Sequence, residues 1–221
     1  MTTAEDIDEL SQKAGRGRGR FSALADRLRA FGRAREGVAA IEFALILPVM
    51  LLIYLGMVVL TTGIAIDRKV STMAYTLADL TARAQAVTNN DRDLMFSAAR
   101  AILAPYATTN VTLVLSSVYF DNNGRATVSW SDANKAGAAL TRGSTYVLPD
   151  YATSLAMPNS SLIIGQVTYP YAEGWVGVLT SLGFSIGGFQ NGVLTMRETS
   201  YMRPRLVPRV ARVINDSTIY Q

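Results

Sequence analysis

The chain has 221 residues, of which 49% are hydrophobic, and its formal net charge is +4. It contains neither Cys nor His, which excludes disulfides, thiol catalysis, imidazole acid–base chemistry and the usual zinc ligand sets. A chain of this size has room for a leader, one apolar span and one folded domain of about 130 residues.

The first element is a strongly basic N-terminal segment. Seven arginines lie between Gly15 and Arg35, with Asp26 as the one acid among them. Such a cluster stays on the cytoplasmic side of a membrane, so residues 1–37 are predicted to be a disordered cytoplasmic leader or tail. Arg/Gly-rich runs also bind nucleic acid, but this run is short and an orientation signal accounts for it. We therefore expect no nucleic-acid partner.

A long apolar run follows the basic segment. No charged residue occurs in the 24 positions from Phe43 to Ile66. A helix of this length measures roughly 36 Å, which is enough to cross a hydrocarbon core of about 30 Å. Residues 38–66 are therefore predicted to form a transmembrane helix in a lipid bilayer, and residues 67–221 an exported domain. A removed secretory signal is the alternative, but its apolar core normally has only about 7–15 residues.

Helical spacing continues beyond the span. Apolar residues recur every three or four positions at Ile66, Val70, Met73, Leu77, Leu80, Ala84 and Val87. The pattern predicts one helix of about 50 residues from near Val38 to near Val87, transmembrane in its first half and amphipathic in its second. The amphipathic half packs either on the chain's own domain, which we favour, or in a coiled coil with another subunit. Pro48 has no amide donor, so a local kink of the helix is predicted there.

The pattern then changes from helix to strand. Asn90 or Asp91 is predicted to cap a short helix that runs to Ala104 and stops at Pro105. Strands are predicted at Val111–Phe120, Ala126–Ser131, Ser161–Tyr171 and Val193–Met202. The first two form a hairpin with a turn at Asp121–Gly124, and Pro170 indicates an edge or a strand end. The predicted fold class is therefore α+β, a long N-terminal helix followed by a small antiparallel sheet.

Nothing in the predicted domain points to catalysis. None of the possible bases stands at a recognisable catalytic spacing; they are Lys69, Lys135 and scattered acids such as Asp121, Asp132, Asp150 and Glu173. The turn Asp121–Gly124 is similar to a fragment of a calcium loop, yet it lacks the distal Glu, so a simple hairpin turn is favoured. We therefore expect no enzyme activity, no catalytic residues, no metal site and no cofactor.

Two further segments have open interpretations. The Gly-rich stretch Gly174–Gly192 carries the aromatic residues Trp175, Phe184 and Phe189. These residues either form an exposed contact surface or cover the sheet, and we favour the cover. The C-terminal part is basic through Arg197, Arg203, Arg205, Arg209 and Arg212. It is expected to be a solvated, extended tail, because Pro204 and Pro208 disfavour helix, although it could also contact acidic partners.

The run from Gly37 to Pro48, GVAAIEFALILP, follows the basic segment and opens the apolar helix. It resembles the start of TadE-like proteins, the pseudopilins of tight-adherence (Tad) pilus systems, and follows the wider type IV prepilin pattern of Gly, four residues and Glu. The close resemblance covers about residues 33–80. It implies a pilin-like fold and a minor pseudopilin of the bacterial inner membrane, with a cytoplasmic N-terminus. The C-terminal domain would be periplasmic, or extracellular in a pilus.

The resemblance also implies roles for particular residues. Gly37 would be the last leader residue removed by a prepilin peptidase, which makes Val38 the mature N-terminus. From sequence alone, Gly37 either merely breaks the helix or supplies an unhindered scissile bond. Glu42, directly before Phe43, either rests at headgroup level near a helix N-terminus or pairs with the new α-amine of a neighbouring pilin subunit. We favour the pairing, which would set the register of an assembly.

Two functions remain open from the sequence. In the first, the protein acts by assembly, so that its helix joins other pilin subunits and its domain contributes to filament initiation. In the second, it is an unprocessed single-pass membrane protein whose periplasmic domain binds a ligand or a protein partner. Removal of residues 1–37 separates the two.

Overall fold

In this computed structural model the described part of the chain comprises residues 35–172, 174–181, 183, 188–190, 192–214 and 218–220. Its helices are α1 (Arg35–Ala82), α2 (Asn89–Ile102) and α3 (Gly174–Ser181). Its strands are β1 (Ala86–Val87), β2 (Thr112–Phe120), β3 (Ala126–Ala133), β4 (Ser161–Ala172), β5 (Val193–Met202), β6 (Ala211–Ile214) and β7 (Thr218–Tyr220). The predicted α+β class, a long helix followed by an antiparallel sheet, is confirmed. Most of the predicted leader lies outside the described residues.

Helix α1 has 48 residues and continues through Pro48 without a break in its assignment. The kink predicted at that residue stays a prediction. The chain divides into two compact units, Met1–Val58 and Val59–Gln221, and the boundary falls within α1. The second unit contains the C-terminal part of the helix together with all of the strands.

The main sheet is antiparallel, with strand order β3-β2-β4-β5. Strands β2 and β3 form the predicted hairpin, in which Asp121 Oδ1 accepts hydrogen bonds from the backbone N–H groups of Asn123 (2.9 Å) and Arg125 (2.8 Å). Strand β4 pairs with β2 only as far as Thr168, whereas its pairing with β5 continues to Ala172. Pro170 therefore lies where β4 has no neighbour on the β2 side, which explains how a central strand holds a proline.

Strand β3 contains a bulge that changes the facing of Trp130. Trp130 pairs with Ser117 of β2, and the next residue of β2, Val118, pairs with Val128. Ser129, between Val128 and Trp130, is therefore the extra residue of β3. Strict alternation along the strand would place Trp130 on the same face as Val128, but a bulge reverses the facing of the residues beyond it. Trp130 instead joins the core cluster under α1, where its Nε1 donates to the Val210 carbonyl at 2.8 Å.

The second half of α1 packs on one face of this sheet, as favoured from the sequence. Ile66, Val70 and Leu77 are fully buried in the same cluster as Leu113 and Ile163 from the sheet. The opposite face buries Val118, Phe120, Ala126, Val128, Leu162 and Ile164, which pack against residues from the segment 140–156. The sheet is therefore covered on both faces.

The close approach of α1 to the sheet requires a glycine. A Cβ added to Gly165 in β4 would lie 2.6 Å from the backbone carbonyl oxygen of Ala74 and 3.0 Å from the backbone nitrogen of Ala78. No ordinary side chain fits such a distance. The small residues on the facing turns of α1 complete this contact, so helix and strand meet almost backbone to backbone.

The predicted end of α1 is five residues too late. The helix stops at Ala82, whose carbonyl oxygen accepts the backbone N–H of Arg205 at 2.8 Å. Val87 is buried, but it lies in β1, which pairs in parallel with β6. Leu80 also departs from the predicted stripe, because 36% of its surface is exposed, while Thr81 on the next position is fully buried.

Helix α2 begins with a capping box that the sequence analysis missed by two or three residues. The cap is Thr88, whose Oγ1 accepts the Asp91 N–H at 3.2 Å, while Asp91 Oδ2 accepts the Thr88 N–H at 3.0 Å. At the other end, Lys69 Nζ of α1 donates to the carbonyls of Ile102 (3.0 Å) and Ala104 (2.8 Å). Lys69, considered above as a base, thus caps a helix C-terminus.

A second small sheet has the order β1-β6-β7 and was not predicted. Its first two strands are parallel and its last two antiparallel. Strand β1 has only two residues, so no sequence periodicity could identify it.

Candidate functional site

The residues predicted to carry function lie together at the start of α1. Gly37, Val38, Glu42 and Phe43 all have helical backbone, and 54% of Val38 and 61% of Phe43 are exposed. Glu42 is exposed as well. Val38 and Glu42 are four positions apart, so they share one face of the helix. The predicted site is therefore a short accessible surface of one helix.

The bond between Gly37 and Val38 lies in helical backbone, close to the first described residue of α1. Gly in a helix is less stable than Ala by about 1 kcal/mol. The scissile bond implied by the resemblance thus follows a residue that weakens helical backbone locally.

The helix beyond Phe43 presents apolar side chains all round. Leu45, Ile53 and Met57 expose 71%, 67% and 69% of their surfaces. None of the most apolar 18-residue window of this helix is buried, and among the described residues it is the one helix long and apolar enough to cross a membrane. An exposed apolar surface of this extent needs a covering environment. These features are consistent with a single-pass membrane protein.

Arg212 corrects the expectation of a solvated C-terminal tail. Only 2% of its surface is exposed, and its Nε donates to Asp132 Oδ2 at 2.6 Å. Its other nitrogens donate to the Val87 carbonyl (2.9 Å), the Val213 carbonyl (2.7 Å) and Asn89 Oδ1 (2.6 Å). A buried guanidinium is stable only when its donors find acceptors, as they do here. The residue ties β6 to β3 and to the start of α2.

The neighbouring arginines of the tail are also engaged with the domain. Arg205 forms an ion pair with Asp79 of α1, which also binds Arg83 at 2.6 Å. Arg203 donates to the carbonyls of the 3-10 helix at Asp150–Leu155. Arg209 lies over the Tyr119 ring, with its Cζ 3.3 Å from the ring centroid. The segment after β5 is therefore a strap across the domain, and its arginines hold it there.

Several titratable groups among the described residues of the domain make structural hydrogen bonds. Burial and the hydroxyl of Tyr146, 3.2 Å away, raise the pKa of Tyr201, which keeps its phenol neutral. The hydrogen bond from the Thr88 hydroxyl lowers the pKa of Asp91. Lys135 Nζ donates to the Asn110 carbonyl. Within the described ranges, no cluster of three or more Asp or Glu residues could hold a metal ion.

Comparison with known proteins finds a similarity in the α1 segment. The family model for TadE-like proteins matches residues 37–84, which we call the TadE-like segment. The match confirms the resemblance seen in the sequence and covers about a fifth of the chain. No curated protein and no solved structure matches the chain.

The TadE-like segment starts at Gly37 and ends two residues beyond α1. It thus includes every residue singled out at the start of the helix, together with the half of α1 that packs on the sheet. The arginines of the strap lie outside it. Sequence reasoning missed their role because each acceptor is distant in the chain, although Arg212 stands in an apolar strand where a charge is unusual.

Proposed function

We propose that this protein is a minor pseudopilin of a Tad-type system. In this proposal α1 is inserted in the bacterial inner membrane, residues 1–37 face the cytoplasm, and the domain after the span is exported and contributes to filament initiation or assembly. One observation carries the proposal: the TadE-like segment contains a helix half whose apolar side chains are exposed all round and which opens with a single carboxylate, Glu42.

The orientation follows from the charge asymmetry around the span. The seven arginines up to and including Arg35 form one block, and the span from Phe43 carries no charge until Asp67. Positively charged flanks stay on the cytoplasmic side, so the domain after Asp67 is placed on the outer side of the membrane. The domain has no Cys, so its folding does not depend on the redox state there.

Processing is proposed at the bond between Gly37 and Val38. The start of the family match at Gly37 supports it. A prepilin peptidase must draw the scissile backbone out of the helix, and Gly opposes this less than Ala by about 1 kcal/mol. Cleavage creates an α-amine on Val38, one turn from Glu42.

Glu42 is proposed to set the register of assembly. A carboxylate at the edge of an apolar layer is costly unless it finds a partner or remains in water. The α-amine of Val38 in a neighbouring subunit supplies a positive charge at the same depth of the membrane. One charge pair in an otherwise apolar helix bundle favours a single axial alignment, because every other alignment leaves both charges unpaired.

The decisive experiment compares three forms of the full chain in cells that produce the pilus machinery. Glu42→Ala and Glu42→Gln remove the charge, while Asp67→Asn removes the first charge beyond the span and serves as the matched control. Membrane retention and intact mass report insertion and processing, and the sheared pilus fraction reports assembly. We expect all three to be inserted and cleaved, with only the two Glu42 variants missing from the assembled fraction. Normal assembly of both Glu42 variants would refute the role of this carboxylate.

The same mass measurement addresses the alternative function. Loss of residues 1–37 from the membrane-extracted protein supports the pseudopilin assignment. Retention of the whole chain in cells with an active prepilin peptidase contradicts processing, and the protein is then the unprocessed single-pass protein described above. A Gly37→Leu variant provides the control, because a bulky residue at the scissile position should prevent cleavage while leaving insertion unchanged.

A further inference from the structure

The charge-free run of α1 extends into the folded domain. Its last part, residues 59–66, belongs to the same compact unit as the sheet. Ile66 is fully buried there, and a Cβ placed on Gly63 would lie 3.8 Å from the Tyr171 ring. The domain therefore contacts α1 before the first charged residue, Asp67, is reached.

The surroundings of α1 at this level are apolar and aromatic. The Tyr171 and Phe189 rings have centroids 6.1 Å apart, and Leu194 is the register partner of Tyr171. Together with Leu60 and Ile64, which expose 65% and 50% of their surfaces, these residues line an open groove of about 480 Å³. We call the group Tyr171, Phe189 and Leu194 the apolar edge.

Helix α1 and strand β5 lie beside this groove, and the first charged residue on each after the apolar edge lies at a similar distance from that edge. Helix α1 approaches Tyr171 at Gly63 and Gly165 at Ala74, so it runs along β4 from the apolar edge toward the middle of the sheet. Strand β5 runs in the same direction, because Leu194 pairs with Tyr171 and Ser200 pairs with Gly165. Along this shared direction, α1 acquires its first charge at Asp67. Strand β5 acquires its first at Arg197, and both residues line the groove.

The length of the span places this level at the membrane surface. A transmembrane helix needs about 20 apolar residues, and counting from Phe43 brings the end of the hydrocarbon layer close to Gly63. Tyr side chains favour the boundary between lipid and water, where a ring is partly apolar and its hydroxyl reaches water. After Glu173, which directly follows β4, residues 174–196 contain no charge either.

We propose that the apolar edge rests in the interfacial layer of the bilayer that α1 crosses. The occupant of the groove is lipid, which covers the exposed faces of Leu60 and Ile64, while Asp67 and Arg197 lie at headgroup level. The contact restrains the domain on the membrane surface until the subunit is assembled. This inference rests on the proposed insertion of α1 and is independent of cleavage and of Glu42.

The absence of Cys from the chain makes a direct test possible. Single-Cys variants of the full chain carry a fluorophore and are reconstituted one per lipid nanodisc that contains a spin-labelled lipid quencher. Gln190→Cys reports the apolar edge, since Gln190 is exposed beside Phe189. Ile53→Cys reports insertion of the span. Asn123→Cys is the matched control, because this exposed residue lies in the hairpin turn near the opposite end of β4.

The expected result is strong lipid quenching at Ile53 and several-fold stronger quenching at Gln190 than at Asn123. Quenching at Ile53 with equally weak quenching at Gln190 and Asn123 would overturn the inference and leave the membrane anchor intact. Weak quenching at all three positions would show that α1 is not inserted, and would overturn the proposed function as well. A second copy of the chain is the other possible occupant of the groove. In that case the Gln190 label is not quenched by lipid, and it is protected from an aqueous quencher only in discs that hold two chains. This result would refute the lipid proposal.

Discussion

The two parts of α1 are both apolar, yet their surroundings are opposite. In the N-terminal part, side chains such as Leu52 and Ile53 expose 51% and 67% of their surfaces. In the C-terminal part, Met73 and Leu77 are completely buried against the sheet. Hydrophobicity alone therefore does not decide which part of a helix folds into the domain.

The difference lies in the shape and polarity of the two surfaces. The C-terminal part has a face of small residues, Ala74 and Ala78, that fits against Gly165, and its other faces carry charged and polar side chains. The N-terminal part has bulky apolar residues on every face and no matching surface within its own compact unit. One part is built for a single internal partner, whereas the other suits a continuous apolar environment.

The strongest test of this difference adds the same side chain at two glycines. One glycine faces the C-terminal part of α1 and the other lies in its N-terminal part. Gly165→Val should abolish the close contact with α1, because its Cβ would lie 2.6 Å from the Ala74 carbonyl oxygen and backbone cannot move aside cheaply. Overpacking typically costs 1–3 kcal/mol and occasionally more, so we expect a loss of about 3 kcal/mol or more in the free energy of unfolding. Urea unfolding of the full chain in detergent, followed by near-ultraviolet circular dichroism, measures it.

Gly56→Val is the matched control for that substitution. A Cβ on Gly56 meets nothing within 4 Å, so the stability of the domain should stay unchanged. Equal stability of the two variants would show that the contact between α1 and β4 is looser than the structure has it.

A second comparison removes the same side chain from each part of the helix. Leu77→Ala deletes a fully buried side chain and should destabilise the domain by about 2–5 kcal/mol. Leu52→Ala deletes a half-exposed one in the span and should change domain stability by less than about 0.5 kcal/mol. If Leu52→Ala destabilised the domain as much, the two parts of α1 would share one internal partner, contrary to the comparison drawn here.

The strap offers a third comparison, between a buried and an exposed arginine. Arg212→Met leaves Asp132 and the carbonyl of Val87 without their donor, and we expect a loss of about 3 kcal/mol in the free energy of unfolding. Arg197→Met, at an exposed position of β5, should have little effect.

The double variant Arg212→Met/Asp132→Leu sharpens the result, because it also removes the Asp132 carboxylate, whose other ion pair, with Arg92, is long at 3.8 Å. Stability should recover in part, since much of the single-variant loss comes from this weakly paired charge. Additive losses in the double variant would mean that Arg212 acts through packing alone.

These arginines show what a sequence can and cannot supply. The main strands follow from local alternation and turn residues: Val193–Met202 was predicted to the residue, and the hairpin turn at Asp121–Gly124 from its composition. The role of Arg212 depends on Asp132, which lies 80 positions away. No local sequence pattern indicates that these two residues pair.

The candidate site was predictable in a different sense. Gly37, Glu42 and the apolar run are a linear pattern, so a sequence is enough to find them, and the TadE-like match spans the same segment. The structure adds their helical backbone and their exposure. What the sequence could not supply is the level at which the domain begins to contact α1, because that depends on how β4 and β5 pack against Gly63.

The predicted end of α1 was wrong because the apolar spacing extends beyond the point where the helix stops. The apolar spacing continues through Ala84 and Val87, which extended the predicted helix, but Ala82 is capped by the backbone of Arg205 from the strap. A bulge is also difficult to predict from sequence. The alternation of Val128 and Trp130 indicates a single face of the strand, and only the pairing with β2 shows the extra residue between them.

A smaller effect is expected at the start of α2, where the capping box was predicted at the wrong residue. Thr88→Ala removes the side-chain acceptor of the Asp91 N–H and should cost about 1 kcal/mol in the free energy of unfolding. Thr72→Ala is the control, because the Thr72 hydroxyl bonds only within its own helix, to the Arg68 carbonyl, on an exposed face. Equal losses in the two variants would contradict the assignment of Thr88 as the cap.

The smallest expected effect is the pH dependence of this cap. The hydrogen bond from Thr88 lowers the pKa of Asp91 below its ordinary value of 3.8 in the folded state. The contribution to stability is therefore fully present above that value and is lost as the pH falls through it toward the folded pKa. Comparing unfolding at about pH 6 and about pH 3, the Asp91→Asn variant should lose less stability on acidification than the unsubstituted protein, since a titrating group has been removed. An unchanged acid response would show that Asp91 does not contribute to the loss.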